Sequence, residues 1–565
     1  MFKKTDPNPQ LDIFTAPSMQ LGSRASKKYS DPNAWHNQFY SLVTTKINEE
    51  IFKPLFPEGK KCGRPNASIR ILVAMSALKE GFGCSDEDLF EKCEFDLLTR
   101  KALGMELLTD VTPSIDTYYL FRRRICEYQE RTGIDLMQLC FEQLAGNQVR
   151  LLKISGKCVR MDSKLIGSNI ARQSRYELIH TTLVKFLKTC TLSDLSPEQE
   201  ERAKEYLKED SSKTVYRSDS DTLQSNLARI GNFIMEMLAT FPATSPAHDL
   251  LQRLFDEQYA VKDGKAVLRD KKEVKADSLQ NPNDPDATYR AKNDQKVQGY
   301  VTNITETVEE GKPNIITSVQ VETAVFADCH FLQEAVENSE RVTDSTIEDL
   351  YADGAYQSPD NREFAKNHNA MQLKTGKMQG GCRWELIPHD EDGLTVREIA
   401  TGNTYEAVKA VTKQGSRKRW RIPWNNKTGW RYFEDKDIKA YQLRKQIESL
   451  PLEEQHKRNN VEAAMFQYSF HTRKGKTRYR GLLKHRMHAY SRCMWMNLRR
   501  MVIFQISTFQ RSIFALFGPI REAFGSFKAI SRKIFTSGAD CYVSLRMTTP
   551  VSYTHLRAHE TKANL

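Results

Sequence analysis

The sequence predicts a mixed α/β fold preceded by an all-α region, and three observations lead there. Apolar residues recur at helical spacing up to about residue 150, the period changes to two from Lys157, and later strand-like runs alternate with helical patterning until helices dominate from Ile438. At 565 residues the chain is too long for one ordinary core, so two or three domains are expected.

Residues 1–34 are rich in Pro, Ser and Lys without periodicity and read as a loose arm. Residues 35–150 read as a helical, DNA-binding domain. Ile69, Ile71, Leu72, Met75 and Leu78 give one helical stripe, broken by Gly81 and Gly83, and Ser85 before Asp86, Glu87 and Asp88 is an N-cap with an acidic first turn. The helix expected after Pro113 carries Tyr118, Tyr119, Arg122, Arg123 and Arg124. That pattern suits a DNA-reading helix, or equally a solvated arginine face.

A second domain is expected over 151–510. Cys158, Arg160 and Asp162 alternate with Val159, Met161 and Ser163, a strand pattern ending at an acid. Residues 172–278 return to charged helical patterning and read as an insertion. Residues 297–307 and 315–325 read as a hairpin, 347–352 as a short strand stopped at Asp353 and Gly354, and 378–435 as a small β insertion. The apolar stretch 493–519, interrupted by Arg499, Arg500 and Arg511, reads as a buried helix pair rather than a membrane span, and 511–550 as a helical tail. No apolar segment follows the N-terminal lysines, so a cytoplasmic, nucleoid-associated protein is expected.

Eleven cysteines are scattered singly with no pair at zinc-ribbon spacing, which argues against a disulfide framework. The formal net charge is +12, favouring a polyanionic partner. Its distribution is sharper: from Ala463 to Arg521 there is no Asp or Glu, while twelve Lys and Arg occur. Within that run Arg473, Lys474, Lys476, Arg478, Arg480, Lys484 and Arg486 alternate with Tyr468, Phe470 and Tyr479, a pattern suited to neutralising phosphates and stacking on unpaired bases. His330, His471 and His485 have no ligand spacing and read as DNA-facing or structural.

Phosphodiester chemistry needs an activated oxygen nucleophile and a stabilised leaving oxyanion, and two Mg²⁺ ions about 4 Å apart serve both. Such hard ions take carboxylate oxygens. Asp162 and Asp353 stand at the expected strand ends, and Glu462 follows Arg458 at i,i+4 on one helix face. Read singly, each aspartate is as readily a turn or cap residue, and Arg458 with Glu462 a surface pair.

Met161, Asp162, Ser163 and Lys164 through Ser168, Asn169, Ile170 and Ala171, the segment from Asp284 to Ala287 with Gly299 and Tyr300, the run from Ala352 to Tyr356, and Arg458 with Glu462 together resemble a bacterial insertion-sequence transposase of the DDE branch. Gly63, Arg64 and Pro65, the helix from Ser68 to Glu80, and Pro113 to Thr117 with Phe121 and Arg122 are similar to its helical N-terminal domain. The resemblance covers residues 35–510. It implies a ribonuclease-H-like core in which Asp162, Asp353 and Glu462 bind two Mg²⁺ or Mn²⁺ ions, with Arg458 and Tyr356 contacting DNA. It also implies double-stranded DNA, both element ends and target, as partner, and a homo-oligomer on that DNA. The activity implied is binding of terminal inverted repeats, strand cleavage and strand transfer. An inactive DNA-binding remnant and a nuclease without strand joining are the alternatives. One departure stands out: the lysine expected two turns after the glutamate is Ser469 here. At the other end, the string 551–561 resembles a translated sequencing-library adapter, so 551–565 are expected to be a non-native scar.

Overall fold

The computed structural model describes residues 2–5, 14–56, 66–243, 245–292, 295–375, 382–389, 393–410, 419–424, 429–449, 451, 457 and 461–523. Gly63, Arg64 and Pro65, Arg458, and residues 524–565, including the stretch 551–565 read as a non-native scar, lie outside them.

The N-terminal region is helical, as its periodicity demands. Helix Ile69–Phe82 starts where Ser68 accepts the Ile71 amide and ends at Gly83, left-handed with φ 66°. Ser85 and Asp88 close a reciprocal capping box on helix Asp86–Phe95. Helices Ile115–Thr132 and Leu136–Leu152 complete the layer. The segment read as a loose arm differs. It contains helices Pro17–Gln20 and Ser23–Tyr29, and Thr5 is tied by its amide to Glu49 at 2.8 Å. Short local contacts of this kind leave no periodic signature.

A mixed sheet follows. Strand β1 (Cys158–Gly167) leads, by way of β2 (Tyr259–Lys262), β3 (Lys265–Leu268) and β4 (Thr288–Lys292), to β5 (Gln295–Thr307) and β6 (Ile316–Thr323), then β7 (Asp349–Ala352) and β8 (Gln372–Thr375). The hydrogen-bonded path is β4-β5-β1-β7-β8, with β6 also on β5. β5 runs antiparallel to both β1 and β6, whereas β7 is parallel to β1 and β8 to β7. Asp162 is therefore mid-strand, not strand-ending: β5 is long enough to keep pairing with β1 as far as Gly167 opposite Gly299.

The insertion between β1 and β4 comprises helices Arg175–Leu187, Pro197–Lys208, Ser211–Arg217, Ser220–Thr240 and Pro246–Gln258 with the β2–β3 hairpin, and buries a core of its own around Tyr176, Ile230, Phe233 and Leu254. A second, antiparallel sheet takes the order β13-β12-β11-β10-β9, from β9 (Trp384–His389), β10 (Gly393–Glu398), β11 (Thr404–Lys409) and β12 (Arg419–Trp424) to β13 (Gly429–Glu434), and packs Trp384, Leu394, Trp420 and Phe433 against helix Asp435–Glu448. The stretch read as a helix pair is one helix, Leu482–Ala523, buried along Met487–Met501 on successive turns. Arginines that would break a membrane span do not break a soluble helix. Among the described residues no helix is long and apolar enough to cross a membrane.

Candidate functional site

The two faces of the central sheet are chemically distinct. Val159 and Met161 of β1, with Leu350 and Ala352 of β7, face an apolar layer with helix Leu332–Thr343. The alternate residues face the other way, where Ile166 and Ile304 pack with Val461, Ala464, Met465 and Tyr468 of helix Val461–Ser469. The Tyr468 hydroxyl reaches Thr302 Oγ1 at 3.1 Å, seating that helix on β5.

On this second face the register aligns the predicted acids. Cys158 pairs with Asp349, Val159 with Leu350 and Arg160 with Tyr351. Continued two residues, the same register puts Asp162 beside Asp353, which follows directly after β7. Both are half-buried. Asp162 Oδ1 accepts the Ser163 amide at 2.8 Å and Asp353 Oδ1 the Gly354 amide at 2.7 Å, so one oxygen of each is held by backbone. Lys164 leaves the same face as Asp162, and burial lowers its pKa against the opposing pull of Asp162. Lys374 on β8 pairs with Asp349 at 2.9 Å and lies 5.2 Å from the Tyr351 ring, and Lys457 lies 5.9 Å from the same ring.

Glu462 occupies the first turn of helix Val461–Ser469 with its side chain exposed, next to the buried Val461. The donor set suits a hard dication, since it consists of carboxylate oxygens on one sheet face. Among the described residues no three His, Cys, Asp or Glu side chains are gathered to hold an ion, so the three acids do not form a closed cluster in this structure. Ser469, at the position where a lysine was expected, spends its hydroxyl on the Met465 carbonyl at 3.0 Å.

The basic run lies against the end of β1. Gly167 donates to the Gly475 carbonyl at 2.8 Å and accepts from Thr477 at 3.0 Å, and Lys474 and Gly475 turn the chain with φ 52° and 71°. Arg473 and Lys474 are exposed on that turn. The other predicted cations also make hydrogen bonds within the chain: half-buried Lys476 donates to the Ile170 carbonyl at 2.6 Å, while Arg478 and Arg480, both exposed, donate to the carbonyls of Gly83 at 2.6 Å and Asn169 at 2.7 Å. Tyr468 and Tyr479 are buried and unavailable for stacking, whereas Phe470 is exposed.

Two further DNA-contact expectations need correcting. Tyr356 is fully buried, its hydroxyl donating to Asn303 Oδ1 at 2.7 Å, because the turn after β7 drives the ring into the apolar layer. Arg122 is wedged between the rings of Tyr118 and Tyr479, at 5.4 and 5.1 Å. Arg124 lies 6.0 Å from the Phe56 ring, and Arg123 is exposed beside Glu127 at 3.5 Å. The motif residues Asp284, Gly299 and Tyr300 prove architectural. Buried Asp284 accepts the hydroxyls of Ser168 and, at 2.6 Å, Tyr300, fixing the chain beyond β1. Sequence reasoning missed Arg160, buried two residues before Asp162; a charged residue on the covered face of a strand was the available signal.

Fold and site thus define a class: an α/β protein with a helical N-terminal region, an aligned carboxylate pair and a cationic turn at the far end of the strand that carries Asp162. Residues 28–124 match the family model described as Transposase domain (DUF772), a likeness that supports an insertion-sequence transposase. No curated protein and no solved structure matches it.

Proposed function

We propose that this chain is a DDE transposase with a ribonuclease-H-like core, which binds the terminal inverted repeats of its element as a homo-oligomer, cleaves there and joins 3′-hydroxyls to target DNA. The observation that carries this reading is the register that puts Asp162 beside Asp353 on neighbouring parallel strands, on the face covered by the helix bearing Glu462. Asp162, Asp353 and Glu462 would hold Mg²⁺ or Mn²⁺, which supplies charge neutralisation at the attacking and leaving oxygens of a phosphodiester. The remaining work falls to the chain. The Ser163 and Gly354 amides orient the aspartates, and the exposed Arg473 and Lys474 bind the phosphate backbone leading to them.

The test uses DNA carrying the repeats that flank the gene. Asp162→Asn and Asp353→Asn should each lower Mg²⁺-dependent end cleavage by more than about 100-fold, beyond the usual loss on removing a mere outer-shell partner, while binding to the repeats persists. Retained cleavage in either variant overturns the assignment. Joining of pre-cut ends to a target plasmid separates a transposase from a nuclease.

A further inference from the structure

One buried ion cluster on the site face has no part in the reading above. Arg160 precedes Asp162 by two residues and so leaves the same face of β1. It is 3% exposed, and its Nη2 lies 2.5 Å from Oε1 of Glu306, its direct cross-strand partner on β5. Glu306 is fully buried, and Arg500 of the C-terminal helix lies 2.6 Å from its other oxygen. Two guanidiniums on one carboxylate leave one positive charge in excess, and a buried charge requires further polar partners.

Both arginines reach Asn314, whose side-chain oxygen accepts from Arg160 Nη2 at 2.7 Å in the orientation that satisfies the amide, but their backbone-carbonyl partners differ. Arg500 Nη1 donates to the Asn314 carbonyl at 3.0 Å, in the β5–β6 turn. Arg160 Nη1 donates to the Lys457 carbonyl at 2.8 Å, five residues before Glu462. A planar guanidinium, with donors in fixed directions, reaches the carboxylate and the carbonyl together, which a single ammonium does not. Arg160 thus joins the strand carrying Asp162 to Lys457, four residues before the helix that carries Glu462.

We propose that Arg160 is a positioning residue: through the Lys457 carbonyl it sets how the Glu462 helix is presented to Asp162 and Asp353. Its catalytic consequence rests on the metal-dependent reading above, whereas its hold on the segment does not. Arg500 provides the internal control, because it grips the same carboxylate without touching Lys457.

Arg160→Lys and Arg500→Lys are compared in the full chain. Arg160→Lys should speed amide hydrogen exchange across 457–469 and raise the Mg²⁺ concentration for half-maximal cleavage about tenfold, in the range of losses seen when an outer-shell partner is removed. Binding to the repeats and exchange in β5 should stay unchanged, and Arg500→Lys should leave exchange and Mg²⁺ dependence as in the wild type. Equal behaviour of the two variants overturns the proposal. Should Arg160→Lys fail to fold, Glu306→Gln loosens the same anchor, and unchanged exchange over 457–469 in that variant overturns it equally. A wild type without Mg²⁺-dependent cleavage would sink the proposed function, yet the exchange comparison would still decide whether Arg160 holds the segment.

Discussion

Charge is used in opposite ways at two polar centres of this molecule. Where helix Ile69–Phe82 meets the C-terminal helix, it is closed on itself. Glu80 takes the His488 ring at 2.7 Å and the Tyr479 hydroxyl, while Arg492 donates to the Glu80 carbonyl at 2.7 Å and to that of Gln467 at 2.5 Å. Burial alone would raise the Glu80 pKa; the charge and hydrogen bond of His488, with Lys79 and Tyr479, outweigh it and hold the carboxyl at about 2. Along the sheet face, Asp162 and Asp353 stand in register and half-exposed, like charges side by side. The first arrangement serves cohesion between the transposase domain and the rest of the chain. The second costs cohesion, as sites built for chemistry commonly do.

The largest effects should separate these two roles. Asp162→Asn, expected to lose more than about 100-fold in cleavage, should leave the midpoint of urea unfolding unchanged or raise it, since a like-charge neighbour is relieved. Glu80→Gln should do the reverse: removing one partner of a buried pair costs about 3 kcal/mol, read from urea unfolding, with cleavage per folded molecule preserved. A Glu80 variant as stable as the wild type but inactive would break the distinction.

How much of this could be read from the sequence follows the range of the forces involved. The capping box at Ser85, the hairpin of β5 and β6, and the halt of β7 before Asp353 are local, written in consecutive residues, and the sequence carries them. The alignment of Asp162 with Asp353 could be expected only if the strands were neighbours, and the sheet supplies that. The fate of Arg122 was not legible: it looks like a surface charge, but the rings of Tyr118 and Tyr479, the latter from a distant segment, enclose it. Tyr356 was misread for the same reason, since burial is a property of the assembled layers.

A smaller perturbation sharpens the sheet side of the comparison. A Cβ on Gly299 would meet the Ile166 carbonyl and, at 2.6 Å, the Ser168 amide, both backbone atoms that cannot swing aside. Gly299→Ala should therefore cost about 1–3 kcal/mol by overpacking and slow cleavage by disturbing β1 beyond Asp162. Loss of stability without any change in cleavage would show that the end of β1 is uncoupled from the aspartates.

The smallest expected effect is a pH slope, and it separates the two centres by titration. His485 is buried beside Tyr300, with Nδ1 3.0 Å from the Gly481 carbonyl and Nε2 2.7 Å from the Thr477 hydroxyl. Burial lowers its pKa from 6.5 to about 4, so the unfolded chain takes up a proton at a pH where the folded one does not. Stability from this group is complete above 6.5 and is lost as the pH falls towards 4. Glu80, also depressed, contributes above 4.5 and is lost only from there down to about 2, so the interval from 6.5 to 4.5 is free of Glu80 and is shared by His485 with His36, His180 and His471, which burial also lowers. Urea unfolding at pH 7, 5.5 and 4.5 should show falling stability in the wild type and a flatter profile in His485→Gln, which keeps a polar side chain for Thr477. Equal slopes in the two proteins would mean that the imidazole gains solvent before it titrates, and that the Tyr300 contact is looser than 4.1 Å between ring centroids implies.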